Sequence, residues 1–159
     1  MTATVSVTQI VSGGQTGVDR AALDTAIACA IPHGGWCPQG RRAEDGRIPD
    51  RYQLRETESS AYRIRTEQNI LDSDATLILY RAQLQGGTRL TFQLCQRHDA
   101  PFLLVPLPTT DTQFVTDWLQ SLQPAVLNVA GPRERTSPGI YSEAKTFLTA
   151  VLEQASGPD

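Results

Sequence analysis

The sequence predicts an α/β protein with a Rossmann-like, doubly wound parallel sheet of about five or more strands and helices on both faces. Short apolar segments alternate along the chain with segments whose apolar residues recur at helical spacing, as expected for strands that alternate with helices. In addition, residues 75–80 and 102–105 are continuously apolar, which is typical of strands buried on both faces of a parallel sheet. Right-handed crossovers between such strands place the helices on both faces.

Length and composition indicate one domain. The chain has 159 residues, of which 40% are hydrophobic and 19% charged, as in ordinary soluble globular proteins. We expect residues 1–154 to form the domain and residues 155–159 to be a frayed tail. The net charge of −3, without long charged runs, argues against a nucleic-acid partner. No leader-like start or membrane-spanning apolar segment is visible, so we expect a cytoplasmic protein without a membrane partner.

The three cysteines predict neither a disulfide framework nor a metal site. Cys29, Cys37 and Cys95 are odd in number and lack C-x-x-C spacing. Free cysteines usually pack as small buried hydrophobes, and contact with a soft metal is the alternative. We therefore predict no metal ligands in this chain.

The first strand and the first helix flank a glycine-rich turn. Residues 5–11 predict the strand, and the helix has an apolar face that includes Leu23 and Ala26. Glycines let a ligand approach the backbone, and a helix N-terminus favours an anion, so we expect a phosphate or similar oxyanion here. A P-loop would need Lys directly after Gly17, and a dinucleotide motif would need glycine in place of Ser12. A tight turn that binds nothing is the alternative. The candidate binding residues are Ser12, Gly13, Gly14, Gln15, Thr16, Gly17 and Arg20.

A short second strand over residues 35–38, after a turn at 32–35, leads into a long polar loop. The loop extends to about residue 57, and loops of this length are commonly functional or mobile. Arg41 and Arg42 can offer planar, multi-donor contacts to phosphate or carboxylate, while Glu44 and Asp45 can orient them or bind a cation. A solvated loop with internal ion pairs is the alternative.

The middle of the chain repeats the pattern of glycine turn and helix. A helix is expected over residues 62–72 with Ile70 and Leu71 facing inward, followed by the strand at 75–80. The next helix follows a second glycine turn and has Thr88 as its N-cap. The candidate binding residues of this turn are Gly86, Gly87 and Thr88.

Two further helices complete the domain. The strand at 102–105 is expected to stop at Pro106, and Asp111 caps a helix whose inward face is predicted to contain Val115, Trp118, Leu119 and Leu122. The last strand covers residues 125–129. Ser137 and Pro138 are expected to start a final helix whose buried face contains Ile140, Ala144, Phe147, Leu148, Val151 and Leu152.

All of the polar turns follow predicted strands. Open parallel sheets bind ligands beyond the carboxyl ends of their strands, where the strand order reverses. We therefore expect four segments to converge on one site for a small anionic molecule: residues 13–19, 41–45, 86–88 and 131–137.

Taken together, residues 12–23, 34–46, 86–88 and 137–141 resemble the molybdenum carrier family, the molybdenum cofactor carrier proteins and their bacterial relatives. The resemblance implies a Rossmann-like fold, homo-oligomers such as dimers or tetramers, and storage or protection of the molybdenum cofactor as bound cargo. It also implies a cofactor-accepting molybdoenzyme as a partner. The cofactor is a phosphorylated pterin whose dithiolene holds oxo-molybdenum. It is anionic at both ends, in agreement with the glycine turns and arginines.

The chain is also similar to a wider superfamily of lysine-decarboxylase-like proteins and cytokinin-activating phosphoribohydrolases. Those enzymes carry a P-G-G-x-G-T-x-x-E motif in which the glutamate acts on the sugar. Here Gly86, Gly87 and Thr88 are followed by Arg89, Leu90 and Thr91, so the glutamate is missing. The remaining candidates for a catalytic carboxylate are Asp19, Glu44 and Asp45.

The leading hypothesis is therefore a non-enzymatic binding protein for the molybdenum cofactor or a related phosphorylated pterin. The first glycine turn would hold one anionic end, clamped by Arg41 and Arg42. The second glycine turn would hold the other end, together with Arg133, Ser137 and Gly139. A nucleotide or nucleoside-phosphate hydrolase, or a sensor of nucleotide derivatives, using the same site, is the alternative.

Overall fold

The computed structural model describes residues 7–156 of the chain. Within them, nine strands and five helices follow one another. Their bounds, in chain order, are β1 Gln9–Val11, α1 Val18–Ala28, β2 His33–Gly34, β3 Trp36–Cys37, β4 Arg42–Ala43, β5 Gly46–Arg47, β6 Arg55–Glu56, α2 Tyr62–Leu71, β7 Ala75–Arg81, α3 Gly86–Arg97, β8 Phe102–Leu107, α4 Gln113–Leu122, β9 Val126–Ala130 and α5 Ile140–Ser156.

The predicted fold class is confirmed. Five parallel strands form the central sheet in the order β2-β1-β9-β7-β8. The main hydrophobic core contains residues of α1, α4 and α5, whereas α2 and α3 pack together in a separate cluster. The connection from β1 through α1 leads to β2 at one edge of the sheet, and the connection from β7 through α3 leads to β8 at the other edge. Right-handed crossovers in opposite directions place α1 and α3 on opposite faces of the sheet. This divergence opens a crevice at the carboxyl ends of the strands, as doubly wound sheets do.

The inner strands are buried as their apolar sequences predict. Leu77, Ile78 and Leu79 of β7 are fully buried, and Leu127 and Val129 of β9 are 1% exposed. The predicted buried face of α5 is also confirmed, since its residues lie in the main core. Full burial of one such side chain stabilises the fold by about 1.5–3 kcal/mol. The rigid sheet therefore fixes the positions of the loops that leave its carboxyl edge.

The second strand is displaced from its predicted position. The edge strand of the central sheet is β2, two residues long, where a turn was expected. Trp36 and Cys37 instead form β3, which pairs with β6 outside the main sheet. The long polar loop is also less irregular than predicted, because β4 and β5 form a hairpin within it. Ile48 and Tyr52, which belong to this loop, pack against Leu23 of α1.

Several details of the helices and strands correct the sequence predictions. Leu71 and Leu122 were expected to face inward but are 54% and 38% exposed, because each lies in the last turn of its helix. Thr88 is not an N-cap: α3 begins at Gly86, and Thr88 is buried in its first turn. β8 continues through Pro106 to Leu107. It is an edge strand, where a proline without an N–H is tolerated.

Two further predictions concern the ends of the chain. Residues 5 and 6 of the predicted first strand, and residues 157–159 of the predicted tail, lie outside the described residues. Helix α5 extends to Ser156, two residues beyond the predicted end of the domain. None of the helices within residues 7–156 combines the length and apolar character that crossing a membrane requires.

Candidate functional site

A cavity of about 630 Å³ lies at the carboxyl ends of β1, β7 and β9. Three of the four expected segments line it, and the polar loop contributes Glu44 alone. Helix α2, which the sequence did not place in the site, forms another wall. The lining includes Gly13, Gln15, Asp19, Glu44, Tyr62, Arg65, Gly86, Gly87, Thr88, Thr91, Asn128, Arg133, Arg135 and Ser137.

The N-terminus of α3 is open to this cavity. Its N-cap residue, Gln85, makes no side-chain capping hydrogen bond, and no hydrogen bond within residues 7–156 engages the N–H of Gly86 or Gly87. A Cβ atom added at either glycine would meet nothing within 4 Å. Unpartnered N–H groups and the positive end of the helix dipole attract an anion. The second glycine turn therefore has the geometry that the sequence predicts for both turns.

In contrast, three N–H groups at and just before the N-terminus of α1 are engaged by groups of the protein itself. Gln15 N donates to Asp19 Oδ2 at 3.2 Å, and Thr16 N donates to Gln15 Oε1 at 3.1 Å. Val18 N donates to the carbonyl of Pro132 at 3.2 Å. These three donors are therefore not available to an anionic ligand in this conformation.

Close packing explains the glycines of the first turn. A Cβ at Gly13 would overlap Nη1 of Arg65, and one at Gly17 would overlap the carbonyl oxygen of Pro132. Gly14 and Gly17 also have positive φ angles of 82° and 80°, which L side chains rarely adopt. Glycine is needed here because neighbouring groups approach the backbone. From the sequence alone, glycine required by close packing cannot be distinguished from glycine that lets a ligand approach the backbone.

A buried ion pair lies at the floor of the cavity. Arg65 of α2 donates to the carbonyl of Gly13 at 2.7 Å, and its Nη1 lies 3.5 Å from Asp19 Oδ2. The two side chains are only 10% and 8% exposed. Burial raises the pKa of Asp19 above its ordinary value, and the nearby Arg65 guanidinium offsets part of that rise. The pair couples α2 to the first glycine turn.

Glu44 connects three segments of the cavity wall. Its Oε2 accepts a hydrogen bond from the hydroxyl of Thr16 and another from Arg135 N at 3.1 Å. Its Oε1 is buried 3.9 Å from Nε of Arg133 and has no hydrogen-bond partner among the described residues. In the same part of the chain, the buried Nε2 of Gln15 has no partner either. These two orphan atoms are the polar groups of the site that a ligand would have to satisfy.

Arginines surround the ring of Tyr62. The guanidinium carbons of Arg133 and Arg65 lie 5.2 Å and 5.3 Å from the ring centroid. The ring is therefore held among cations, an arrangement that favours both partners. Arg133 and Arg135 provide positive charge at the cavity, on the segment that follows β9.

Several predicted binding residues lie outside the cavity lining. Arg41 is buried in the polar loop, where its Nη2 donates at 2.8 Å to the carbonyls of both Pro49 and Tyr52. The guanidinium carbon of Arg42 lies 4.1 Å from the centroid of the Tyr62 ring, and its Nη2 donates to the carbonyl of Ser60. Arg20 pairs with the carboxylate of Asp45 at 2.7 Å. These arginines hold the loop together, and we do not include them in the site we propose.

Of the three remaining predicted binding residues, one lines the cavity and two make contacts elsewhere. Ser12 is buried and donates to the carbonyl of Val129 at 2.8 Å, which links β1 to β9. Ser137 lines the cavity. Gly139 does not, and its N–H donates to Glu134 Oε2 at 2.6 Å. Glu134 also accepts from Tyr141 N, so it caps α5, which begins at Ile140 rather than at Pro138.

The cysteines and other metal-ligating side chains do not assemble. Cys37 and Cys95 are buried and Cys29 is partly buried, and all three are free thiols. Burial raises the pKa of each thiol. In the part of the chain that the structure describes, no group of three or more His, Cys, Asp or Glu side chains is arranged to hold a metal ion.

Sequence reasoning missed Tyr62 and Arg65, although a signal was present. Arg65 and Asn69 are four residues apart on α2 and share its buried face. Asn69 exchanges two hydrogen bonds with the backbone of Trp36. A charged residue on the inward face of a helix needs a buried partner, and this pattern could have identified Arg65.

Comparisons with known proteins agree with this architecture. A family model described as the circularly permutated YpsA SLOG family matches residues 10–152. A crystal structure from Syntrophus aciditrophicus SB, of a protein named "Putative molybdenum carrier protein", is similar over 94% of this chain and 96% of that one, with 44% sequence identity and a TM-score of 0.88. A search of curated proteins found no match.

The resemblance to molybdenum carrier proteins that the motifs indicated is thereby confirmed. Since the family model covers most of the sequence, the chain belongs to the circularly permutated YpsA SLOG family.

Proposed function

We propose that the cavity at the carboxyl ends of β1, β7 and β9 binds a phosphorylated pterin of the molybdenum-cofactor type as cargo. The observation that carries this proposal is the open N-terminus of α3, which lies in the same cavity as two orphan hydrogen-bonding atoms. One end of the cavity suits an anion, and the orphan atoms suit a polar heterocycle. A phosphorylated pterin has both features.

The anionic end of the ligand would bind at the second glycine turn. The N–H groups of Gly86 and Gly87 would donate to phosphate oxygens, supported by the α3 dipole. Arg133 and Arg135 line the same cavity and add positive charge. Arginine suits this role because its planar guanidinium matches two phosphate oxygens at once.

The size of the cavity is consistent with such a ligand. Its volume of about 630 Å³ falls within the range of about 300–1,000 Å³ that small-molecule sites occupy. The relative from Syntrophus aciditrophicus, whose name describes a molybdenum carrier, is 44% identical to this chain. We therefore favour the molybdenum cofactor over other phosphorylated heterocycles.

Calorimetric titration with neopterin monophosphate tests the proposal, with unphosphorylated neopterin as the comparison ligand. We expect the phosphorylated compound to bind more tightly. Arg133→Ala should weaken its binding by about 1.5–3 kcal/mol, the usual contribution of a hydrogen bond to a charged group. Arg47→Ala is the matched control, because Arg47 is 61% exposed on β5 and pairs with Asp50. Equal affinities for both ligands, or equal effects of both variants, would contradict the proposed site.

Hydrolysis of a nucleoside phosphate is a second candidate function. It is favoured by the position of Asp19, a carboxyl group in the cavity lining whose pKa is raised by burial, because carboxyl groups with raised pKa values at such sites can act in general acid–base catalysis. Turnover of a panel of nucleoside monophosphates that is lost in Asp19→Asn would establish this function. Binding without turnover of any member would exclude it.

We also propose that the protein forms a homo-oligomer and delivers its cargo to a molybdoenzyme. The support is the relationship to molybdenum carrier proteins. Light scattering tests the first part, and a monomeric mass would refute it. Reconstitution of a cofactor-free molybdoenzyme by the loaded protein tests the second.

A further inference from the structure

The two orphan atoms belong to side chains that are fixed on their other side. Gln15 is 4% exposed, and its Oε1 accepts hydrogen bonds from Thr16 N at 3.1 Å and from Glu44 N at 2.8 Å. Both donors are backbone N–H groups, which cannot accept a hydrogen bond. The amide of Gln15 therefore cannot flip, and its Nε2 is a donor that finds no acceptor among residues 7–156.

The same reasoning fixes Glu44. Its side chain is 6% exposed, and Oε2 accepts from the obligate donor Arg135 N as well as from the hydroxyl of Thr16. Its Oε1 is therefore an acceptor that receives no hydrogen bond from residues 7–156, although the guanidinium of Arg133 lies 3.9 Å away. Because Glu44 N donates to Gln15 Oε1, the two side chains are neighbours at the cavity wall. A buried polar atom without a partner costs about 1–3 kcal/mol, so the site is poised for a ligand that satisfies both.

We propose that Gln15 and Glu44 recognise the amino-oxo edge of the bound heterocycle. Glu44 Oε1 accepts a hydrogen bond from the exocyclic amino group, and Gln15 Nε2 donates to the ring carbonyl oxygen. Such an edge, with an amino group, a ring N–H and a carbonyl in a row, occurs in pterins and in guanine. The inference deepens the proposed function and rests on it, because it assigns the specificity of the same cavity.

Matched ligand pairs test the edge directly by equilibrium titration of the purified protein. Lumazine carries a carbonyl where pterin carries the amino group, and xanthosine monophosphate differs from GMP in the same way. Replacing the donor by an acceptor places two acceptors face to face at Glu44 Oε1. We expect each oxo compound to bind about 10- to 100-fold more weakly than its amino partner, as for a lost hydrogen bond to a charged group.

Glu44→Gln provides a sharper test because it should reverse this preference. Arg135 N still requires an acceptor, so the new amide must keep its oxygen at the Oε2 position and place its NH₂ at the position of Oε1. The site then offers a donor, and the oxo compounds should bind better than the amino compounds. Glu153→Gln is the control for the lost charge, because Glu153 is exposed on α5 and should retain the wild-type preference.

Gln15→Glu provides the complementary test. It keeps an acceptor for Thr16 N and Glu44 N but removes the donor to the ring carbonyl, so all four compounds should bind more weakly. Circular dichroism and thermal unfolding would verify that each variant is folded. A Glu44→Gln variant that is folded and keeps the wild-type preference would overturn the inference.

The binding results for the different ligands distinguish a failure of this inference from a failure of the proposed function. Preference for both amino compounds, with neopterin monophosphate binding more tightly than GMP, supports both. The same amino preference with GMP binding more tightly supports the edge assignment but contradicts a pterin cargo. Binding of neopterin monophosphate without discrimination within either pair overturns the edge assignment alone. If none of the compounds binds, both are overturned.

Discussion

The two glycine turns of this protein look alike in sequence but differ in structure. Each follows a parallel strand and opens a helix, so each predicts an anion site. The first turn, residues 13–17, is closed at Gln15 and Thr16, whose N–H groups donate to Asp19 and Gln15, and Arg65 contacts Gly13. Val18 N, at the start of α1, donates to Pro132. In the second turn, no hydrogen bond within residues 7–156 engages the N–H groups of Gly86 and Gly87, and both residues line the cavity.

The difference shows that glycine in a strand-to-helix turn has two separate physical causes. In the first turn, neighbouring atoms would overlap any Cβ atom, so glycine allows dense packing. In the second, no described atom lies within 4 Å of an added Cβ, so packing does not require glycine, although Gly86 has a positive φ of 49°. Substitutions at the two turns should therefore affect different measurements.

The largest expected effect comes from opening the closed turn. Arg65→Met removes the guanidinium that pairs with buried Asp19, so the free energy of unfolding should fall by about 3–5 kcal/mol. The double variant Arg65→Met/Asp19→Asn should recover much of the loss, because it no longer buries an unpaired charge. Denaturant titration measures both. If the losses were simply additive, the pair would not be coupled.

Gly17→Ala should have a slightly smaller effect on the same turn. The substitution combines a backbone conformation that alanine avoids with overlap of the Pro132 carbonyl. Strain and overpacking together should lower the free energy of unfolding by about 2–4 kcal/mol. Wild-type stability in this variant, measured by denaturant unfolding, would show that the close approach is not required.

Gly87→Ala tests the open turn and should change stability little. Its φ angle is not in the left-handed region and nothing lies near the new methyl group, so the free energy of unfolding should rise by up to about 1 kcal/mol. Affinity for neopterin monophosphate should fall, because the methyl group occupies space at the cavity wall. A marked loss of stability would indicate that both turns are closed.

The smallest expected effect is a pH dependence of anion affinity that arises in the closed turn. The pKa of Asp19 is raised above 3.8 by burial. As the pH falls through this raised pKa, Asp19 becomes neutral and no longer offsets the charge of Arg65. Affinity for sulfate, whose own charge is constant over this range, should therefore increase. Asp19→Asn should abolish the increase, and an identical profile in that variant would assign the titration to another group.

Much of the fold could be predicted from the sequence because apolar periodicity reports burial directly. The continuous apolar residues of β7 and the face of α5 that contains Ile140 and Phe147 were assigned in this way, and both are buried. The edge of the sheet was harder to predict. β2 consists of His33 and Gly34, which carry no strand signal and pair only because β1 lies beside them.

The candidate site was predicted at the level of segments but less well at the level of side chains. Sequence position brings Gln15, Glu44, Gly86 and Arg133 to one edge of the sheet, and the structure places them in one cavity. It cannot indicate which arginine faces inward. Arg41 is held by loop carbonyls, and Arg65 reaches the cavity floor from a helix that was assigned only to the core. Such choices depend on tertiary contacts that no local pattern contains.

The central claim is that this cavity carries a phosphorylated pterin. The most direct measurement is to denature freshly purified protein from a host that makes the molybdenum cofactor, oxidise the released small molecules, and quantify fluorescent pterins together with molybdenum by elemental mass spectrometry. We predict pterin and molybdenum in stoichiometric amounts, reduced in Arg133→Ala and unchanged in Arg47→Ala. Protein that releases neither pterin nor molybdenum would contradict the claim.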